Sequence, residues 1–338
     1  MFQHAGRRVA AAAIGTGPAL VLPPWWITDL EADLDDQRRG SFLRALARSH
    51  TVVRYDRPGT GGSDRDGPPQ SRTMADEVAL LVAVLNELEI ESARLLGISC
   101  GGCVAAAFAA AHPQRVEALA VYAGYVHGRQ LGDARLRGTV VELVRRHWGM
   151  GSRLLTDLFL PRATVEERRA FDRLQRSGAD AETAALLLEE IYDFDLTGTL
   201  ERVPSGTRVV HRGSDRVVPI EAGRALAAGL RGSRLVTLAG ERHLPWDGDP
   251  ADVLGALAPF LGGEIAPVPQ APADSKLTAR EREVLSLVAD GLGDVEIAAR
   301  LYLSPHTVHR HLANIRTKLG LSSRAAVAAY AVRRGIAR

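Results

Sequence analysis

The chain has 338 residues, 46% of them hydrophobic and 24% charged, which is the balance of a globular protein with more than one domain. Its two cysteines exclude a disulfide framework and indicate a reducing compartment, and no stretch approaches the ~20 consecutive apolar residues of a membrane span, so we expect a cytoplasmic protein without membrane contact. The formal net charge is +2, but residues 276–338 carry eleven Lys and Arg against five Asp and Glu, a net of +6 that indicates a polyanionic partner for this tail.

The first residues could be mistaken for a secretory signal, because Arg7-Arg8 precede a short apolar run at 9–14. Gly15-Thr16-Gly17-Pro18 interrupts that run. A first strand followed by a turn is therefore the better interpretation.

Short apolar strands alternate with helical patterns in the part of the chain before the basic tail. Strands are predicted at 19–22, 51–55, 93–97, 118–122, 207–211 and 234–238, with helical periodicity at 74–88. This alternation predicts an α/β fold with a parallel sheet covered on both faces. Only helical patterns appear between 124 and 200, and an insertion of that size at the carboxyl edge of a sheet predicts a helical lid over about 125–200.

The strand at 93–97 leads into Gly97-Ile98-Ser99-Cys100-Gly101, and the residues after Ser99 are small and compatible with a helix. Gly-x-Ser-x-Gly between a strand and a helix is the pattern of a nucleophile elbow. The glycines are needed because the serine adopts a strained backbone and a side chain two residues away would clash with strand or helix. Ser99 is therefore the candidate nucleophile.

Two polar turns supply the partners that such a serine needs. A serine hydroxyl is a weak nucleophile until a histidine removes its proton, and a carboxylate must orient that histidine. Asp215 follows the strand at 207–211, and His243 follows the strand at 234–238. Each could be ordinary loop polarity, and the base could instead be His4, His112 or His211. Placement at successive strand ends favours the order Ser99, Asp215, His243.

Cys100-Gly101-Gly102-Cys103 is also a Cys-x-x-Cys motif at a helix start, where thiolates are stabilised. A redox pair is the alternative to simple packing. The elbow already fixes both positions, and the rest of a thioredoxin-like pattern is absent, so we interpret the cysteines as packing residues. No cluster of His and Cys has metal-ligand spacing, and neither a metal nor a cofactor is expected.

A run rich in Pro and Ala predicts a linker at 263–275, and a separate all-α domain follows at 276–338. Thr278-Ala279-Arg280-Glu281 forms a capping box for a first helix that ends near Gly291. Ser304-Pro305 provides an N-cap and a first helical proline for a third helix. Three short helices with a tight turn before the third predict a helix-turn-helix unit.

The third helix has one apolar face that would pack on the core, made by Val308, Leu312, Ile315 and Leu319. On the other faces, Arg310 and Asn314 suit base edges, while Lys318 and the helix N-terminus suit phosphates. A merely solvated polar face is the alternative, which the basic charge of this tail disfavours. The candidate DNA-binding residues are Ser304, His306, Thr307, His309, Arg310, His311, Ala313, Asn314, Thr317 and Lys318.

Residues 1–262 resemble the α/β-hydrolase family, and within it the hydrolase domains fused to LuxR-type regulators. The glycine-rich turn at 55–64, YDRPGTGGSD, is similar to that of the family, and the segments around Asp215 and His243 match its acid and histidine turns. The resemblance implies an oxyanion hole made by the backbone N–H groups of Trp25 and Cys100. The family's usual His-Gly is Pro23-Pro24 here, and because neither proline has an N–H, Trp25 must supply that donor.

Residues 277–338 resemble the LuxR-type (NarL-like) helix-turn-helix, on the segments LTAREREVL at 277–285, EIA at 296–298 and KLGL at 318–321. The resemblance implies that residues 323–334 form a fourth helix that dimerises. His309 and Ala313 stand where the family is frequently basic, which implies a shallower salt dependence of DNA binding. Gly293 replaces the serine that would cap the second helix, so Asp294 is the expected cap.

The leading hypothesis is a transcription regulator whose hydrolase domain senses, and slowly hydrolyses, a small ester- or lactone-like ligand. Its tail would bind double-stranded promoter DNA as a homodimer, with RNA polymerase as a further partner. One alternative is a serine esterase or lactonase with an accessory DNA-binding tail. Another is a hydrolase domain that serves only as a dimerisation scaffold.

Overall fold

The computed structural model describes residues 1–67, 72–262, 277–319, 321 and 323–333. It divides into two compact units, Met1–Val268 and Pro269–Arg338, each with its own hydrophobic core. The linker predicted at 263–275 lies outside the described residues. Among those that are described, no helix combines the length and the apolar character needed to cross a bilayer.

The first unit is built on a sheet whose central strands are largely buried, whereas its two edge strands are partly exposed. A separate hairpin, β1 (Phe2–His4) and β2 (Arg7–Val9), precedes the sheet strands, which are β3 (Ala11–Ile14), β4 (Ala19–Leu22), β5 (Thr51–Tyr55), β6 (Ala93–Ile98), β7 (Val116–Tyr122), β8 (Arg208–Arg212) and β9 (Arg234–Leu238). The seven strands of this sheet lie in the order β3-β5-β4-β6-β7-β8-β9. All neighbours are parallel except β3 and β5. The carboxyl ends of β6, β8 and β9 therefore point to the same edge of the sheet.

The prediction of one strand over residues 9–14 was wrong in its extent. Ala5 and Gly6 both have positive φ, 48° and 76°, and turn the chain so that Val9 pairs with Phe2. Ala-Gly is not among the strong hairpin-turn signals, so the sequence pattern hid this turn. The run divides at Ala10, and the strand of the main sheet begins at Ala11.

Helices pack against the sheet strands and also form an insertion between β7 and β8. The helices that connect the strands are α1 (Leu30–Asp35), α2 (Gln37–Leu46), α3 (Met74–Glu87), α4 (Cys100–Ala111) and α9 (Ile220–Gly229), and α10 (Pro250–Leu261) follows the last strand. The insertion contains α5 (Ala134–Arg146), α6 (Trp148–Phe159), α7 (Val165–Gly178) and α8 (Ala181–Asp193), which we call the lid helices. They occupy the stretch for which the sequence predicted helices alone.

The second unit consists of α11 (Ala279–Ala289), α12 (Asp294–Leu301), α13 (Pro305–Leu319) and α14 (Arg324–Arg333). The capping box predicted at Thr278 is confirmed, because the Thr278 hydroxyl accepts from the Glu281 N–H at 3.2 Å and Glu281 accepts from the Thr278 N–H at 2.7 Å. The apolar face predicted for α13 packs into the core through Val308, Leu312 and Ile315. Of the segment predicted as a fourth helix, Arg334 lies outside the described residues.

The start of α12 differs from the prediction. Gly293 occupies the N-cap position and Asp294 is the first helical residue, so Asp294 is not the cap. The Gly293 N–H is satisfied from inside the helix, because Glu296 reaches back and accepts from it at 2.7 Å. The Asp294 carboxylate instead pairs with Arg324 of α14. It thereby ties α12 to α14.

Candidate active site and DNA-binding surface

Ser99 lies at the tight turn between β6 and α4. Its backbone is left-handed, with φ 53° and ψ −127°, a conformation that is strained for a residue with a side chain. Its N–H donates to the Tyr122 carbonyl of β7 at 2.9 Å, which anchors the turn to the sheet. A Cβ on Gly97 would lie 2.4 Å from the Gly102 Cα, so the strand and the helix approach too closely for any other residue. The elbow predicted from the motif is confirmed as a backbone conformation.

Asp215 and His243 form a buried pair at the same sheet edge. The Nδ1 atom of His243 lies 2.7 Å from Asp215 Oδ2, and Asp215 Oδ1 accepts from the N–H groups of Val217 and Val218 at 2.9 and 3.1 Å. Burial opposes ionisation, but the facing His243 outweighs it and lowers the pKa of the Asp215 carboxyl below its ordinary value. The carboxylate therefore stays charged and orients the imidazole.

The Nε2 atom of His243 is buried and has no hydrogen-bond partner among the described residues. No hydrogen bond therefore joins it to Ser99 in this structure, and the serine–histidine half of the triad remains a prediction. Catalytic hydrogen bonds often tighten only when a substrate binds. His211, a competing candidate from the sequence, is also buried, but its Nε2 contacts the Val218 carbonyl at 2.8 Å and lies 4.0 Å from Asp215 Oδ2. Its geometry is that of a support for the acid turn.

Trp25 and Cys100, the predicted oxyanion donors, lie on adjacent pieces of backbone. The Cys100 thiol donates to the Trp25 carbonyl at 2.9 Å, and a Cβ on Gly101 would lie 2.6 Å from the Pro23 carbonyl. The N–H of Cys100 is the first of α4, where an N–H has no intrahelical acceptor. The two backbone segments named by the prediction are therefore in contact, and the oxyanion hole itself stays a prediction.

The two cysteines are buried thiols. Neither Cys100 nor Cys103 forms a disulfide. Burial raises the pKa of the Cys100 thiol to about 11 and raises that of Cys103 further. A redox pair needs an accessible thiolate, so these values support packing.

Most of the predicted DNA-binding residues at α13 are exposed to solvent. His306, His309, Arg310, Ala313, Asn314 and Thr317 are exposed, as is Ser304 before the helix, while Thr307, His311 and Lys318 are half-buried. Ser304 caps α13, since its hydroxyl accepts from the Thr307 N–H at 3.1 Å. Lys318 is held by Glu281, with its ammonium 2.8 and 2.6 Å from the two carboxylate oxygens. A phosphate would have to compete with that ion pair for Lys318.

Comparison with known proteins assigns both units. A model of the α/β-hydrolase fold matches residues 28–250, and a model of the luxR family of bacterial regulatory proteins matches residues 275–331. The chain belongs to the α/β-hydrolase family. It also carries a LuxR-type helix-turn-helix domain, and this domain is a DNA-binding module of transcription regulators.

The chain spans only part of the length of the curated relatives that it matches. Over 81 residues, 24% of this chain and 37% of the relative, the chain is 46% identical to the probable transcriptional regulatory protein NarL of Mycobacterium tuberculosis. Over 197 residues, 54% of this chain and 66% of the relative, it is 30% identical to a 2-hydroxymuconate semialdehyde hydrolase of Pseudomonas. A putative HTH-type transcriptional regulator of Mycobacterium bovis is 49% identical over 59 residues, 18% of this chain and 7% of that relative's length. The crystal structure of a hydrolase from Pseudomonas aeruginosa superposes with a TM-score of 0.66 at 29% identity, covering 76% of this chain and 96% of that one.

Sequence reasoning missed an aromatic cluster of the α/β-hydrolase domain. The Trp25 ring stacks on Phe171 at 6.2 Å and meets Phe159 and Trp246 edge to face at 6.1 and 5.4 Å. The Phe159 ring in turn lies 5.1 Å from the His243 ring, and the Phe159 carbonyl accepts a hydrogen bond from the backbone N–H of His243 at 3.1 Å. Phe159 of α6 and Phe171 of α7 thus contact Trp25, and Phe159 also contacts His243. Trp25 belongs to residues 23–26, which we call the oxyanion loop after the role predicted for it. The signal in the sequence for this cluster was Phe159, an apolar residue at the end of the amphipathic lid helix α6.

Proposed function

We propose that this protein is a transcription regulator in which the α/β-hydrolase domain binds, and slowly hydrolyses, a small ester- or lactone-like ligand. The LuxR-type domain would bind promoter DNA as a homodimer and contact RNA polymerase. The observation that supports the ligand site is the Asp215–His243 pair at 2.7 Å. Its Nε2 atom has no partner in the part of the chain that the structure describes, and it is buried at the sheet edge that also carries the strained Ser99. Asp215 already orients the imidazole of His243, so Nε2 needs only a nearby hydroxyl group from which to accept a proton.

The proposed chemistry is acyl transfer. His243 Nε2 takes the proton of the Ser99 hydroxyl as the oxygen attacks the ligand's carbonyl carbon, and the Trp25 and Cys100 N–H groups stabilise the resulting oxyanion. His243 then returns the proton to the departing alkoxide, which leaves an acyl-enzyme for water to cleave. Each N–H donor of an oxyanion hole typically lowers the activation barrier by about 3 kcal/mol. Asp215 stabilises the imidazolium through Nδ1.

The proposed regulation follows from linkage. If the ligand changes the affinity of the dimer for DNA by some factor, DNA changes the affinity for the ligand by the same factor. The aromatic contacts between the lid helices and the oxyanion loop provide packing that a ligand at Ser99 would rearrange. Because a Ser99→Ala variant lacks the nucleophile but keeps the rest of the site, it separates ligand binding from ligand hydrolysis.

The test combines covalent labelling with DNA binding. We expect a fluorophosphonate to label wild type at Ser99 and to leave Ser99→Ala and His243→Ala unlabelled. Gel shifts with DNA from upstream of the protein's own gene, with p-nitrophenyl butyrate or γ-butyrolactone as probes, should show a ligand response. A response retained by Ser99→Ala makes binding the signal, and one lost by a folded, ligand-binding variant makes hydrolysis the signal. Hydrolysis without any effect on DNA binding would contradict the proposal and favour an esterase with an accessory tail.

A further inference from the structure

Arg57 of the glycine-rich turn lies behind the oxyanion loop with its guanidinium fully enclosed, at 1% exposure. Its Nε donates to Glu77 at 2.9 Å, Nη1 to the Trp26 carbonyl at 3.1 Å and Nη2 to the Pro24 carbonyl at 3.0 Å. Burial opposes this charge, but the enclosed Glu77 carboxylate outweighs it and raises the pKa of Arg57 above its ordinary value. The guanidinium of Arg57 therefore stays charged, and it donates to the carbonyls of Pro24 and Trp26, the residues on either side of Trp25.

The geometry of the peptide group makes this contact relevant to catalysis. The Pro24 carbonyl and the Trp25 N–H belong to one peptide, and the described chain has no cis peptide bond. In a planar trans peptide the C=O and N–H bonds point in opposite directions. A donor that fixes the Pro24 oxygen on one side therefore fixes the Trp25 N–H on the other.

A second physical effect acts on the same bond. A charged donor on a carbonyl oxygen polarises the whole amide, and chains of hydrogen bonds strengthen one another in a low-dielectric interior. The Trp25 N–H becomes a better donor to a negative oxygen. The two residues before Trp25 cannot substitute for this donor, because Pro23 and Pro24 have no N–H.

We propose that Arg57 is the positioning residue of the oxyanion hole, which aims and polarises the Pro24–Trp25 peptide toward the oxygen that forms on the ligand. The inference rests on the proposed acyl chemistry at Ser99. Nη2 of Arg57 also lies 4.0 Å from the Cys100 sulfur, and the Cys100 thiol bonds the Trp25 carbonyl. One side chain thus contacts both segments that would supply donors.

A purely structural role for Arg57 makes different predictions, and Arg54 offers a matched control. Arg54 is also a buried arginine, 6% exposed, and it pairs with Asp33 at 3.1 Å and donates to the Leu30 carbonyl at 3.0 Å. Its guanidinium forms no hydrogen bond to the carbonyls of Pro24 or Trp26 among the described residues. Arg54→Lys and Arg57→Lys keep the charge and lose the planar fork. Urea unfolding of the full chain monitors the fold of both.

The experiment measures hydrolysis of p-nitrophenyl butyrate, fluorophosphonate labelling, and binding of an alkyl trifluoromethyl ketone, which forms an oxyanion on the serine. We expect Arg57→Lys to lower kcat ~10–100-fold with KM nearly unchanged, and to weaken the ketone by the same factor. Arg54→Lys should keep both values. A folded Arg57→Lys variant with unchanged kcat, or with a loss confined to KM, would overturn the role of Arg57. An unlabelled, inactive wild type would overturn the Ser99 chemistry as well.

Glu77→Gln supplies a second measurement if Arg57→Lys does not fold. The amide oxygen can still accept from Arg57 Nε, but the guanidinium loses its counter-charge. We expect tighter binding of the trifluoromethyl ketone relative to wild type. Unchanged or weaker binding in the folded variant would contradict the proposal.

Discussion

Ser99 and the glycines around it show how one residue's conformation dictates the identity of its neighbours. The left-handed backbone of Ser99 turns the chain so sharply that β6 and α4 nearly touch at Gly97 and Gly102. The space at Gly97 is filled by backbone atoms, which cannot move out of the way as a flexible side chain could. This crowding, rather than conformational freedom alone, requires glycine there.

Gly97→Ala tests that crowding. The added methyl would lie 2.4 Å from the Gly102 Cα and 2.8 Å from the Gly101 carbonyl oxygen, so strand and helix must separate. We expect the free energy of unfolding, measured with urea, to fall by about 2–3 kcal/mol. Gly138→Ala is the control, because, among the described residues outside its own helix backbone, no heavy atom lies within 4 Å of its Cβ position in α5. It should stabilise by about 0.5–1 kcal/mol. Equal stability of the two variants would contradict the explanation.

Glu190 of α8 makes stability depend on pH in an unusual direction. It is 5% exposed and accepts from the Arg72 N–H at 2.6 Å, and burial raises its pKa from 4.5 to about 7. A carboxyl whose folded pKa is raised stabilises the fold below the unfolded pKa, and this stability is lost as pH rises through the folded value.

We therefore expect Glu190→Gln, which keeps an acceptor for the Arg72 N–H, to be more stable than wild type at pH 8.5, by about 2 kcal/mol. The advantage should shrink at pH 5.5. The neighbouring Glu189→Gln is the control, because it only removes an ion pair with Arg145 and should slightly destabilise at both pH values. Urea unfolding at the two pH values checks this, and an advantage that does not grow with pH would disprove it.

At the scale of elements, the caps of α11 and α13 could be predicted, but the start of α12 could not. Thr278 and Ser304 act on N–H groups three residues away, so a short sequence pattern contains the whole interaction. The Asp294 carboxylate was diverted to Arg324, 30 residues further along the chain, and no local pattern reveals such competition. The β1–β2 hairpin was missed because its turn residues, Ala5 and Gly6, lack a strong turn signature.

The cap of α13 permits a prediction that separates stability from recognition. Ser304→Ala removes the acceptor of the Thr307 N–H and should lower the stability of the LuxR-type domain by about 1 kcal/mol. Ser304→Asp keeps a capping oxygen and should keep that stability. If the start of α13 meets a phosphate, the aspartate will weaken DNA binding more than the alanine does. Thermal unfolding and fluorescence anisotropy measure the two effects, and equal DNA affinities would place the start of α13 away from the backbone.

At the scale of the whole molecule, the Asp215–His243 pair and its placement at the sheet edge of Ser99 could be predicted, and their surroundings could not. Ser99, Asp215 and His243 each follow a strand with its own motif, so the order along the chain carries the information. Arg57 meets Pro24 and Trp26 only because β5 and β4 are neighbours in the sheet. The aromatic contacts of Trp25 depend on where the lid helices pack, which periodicity does not specify.

DNA affinity should depend unequally on the basic residues of α13. Arg310 is exposed, whereas Lys318 is neutralised by Glu281. We expect Arg310→Ala to weaken binding ~10-fold or more at constant salt, and Lys318→Met to weaken it by less. Fluorescence anisotropy at several salt concentrations measures both affinities. A larger loss for Lys318→Met would mean that DNA displaces Glu281 from the ion pair.

The buried thiols of α4 have a practical consequence for experiments on this chain. Cys100 and Cys103 are sealed under the elbow, and with a pKa of about 11 the Cys100 sulfur is protonated near neutral pH. Iodoacetamide can alkylate them only when this region transiently unfolds, so the alkylation rate, followed by mass spectrometry, reports that opening. We expect both sulfurs to be protected to a similar extent and their alkylation to slow after a fluorophosphonate occupies Ser99. Alkylation as fast as in urea would contradict this protection. Cys100 and Cys103 thus report local unfolding around the elbow without any added label.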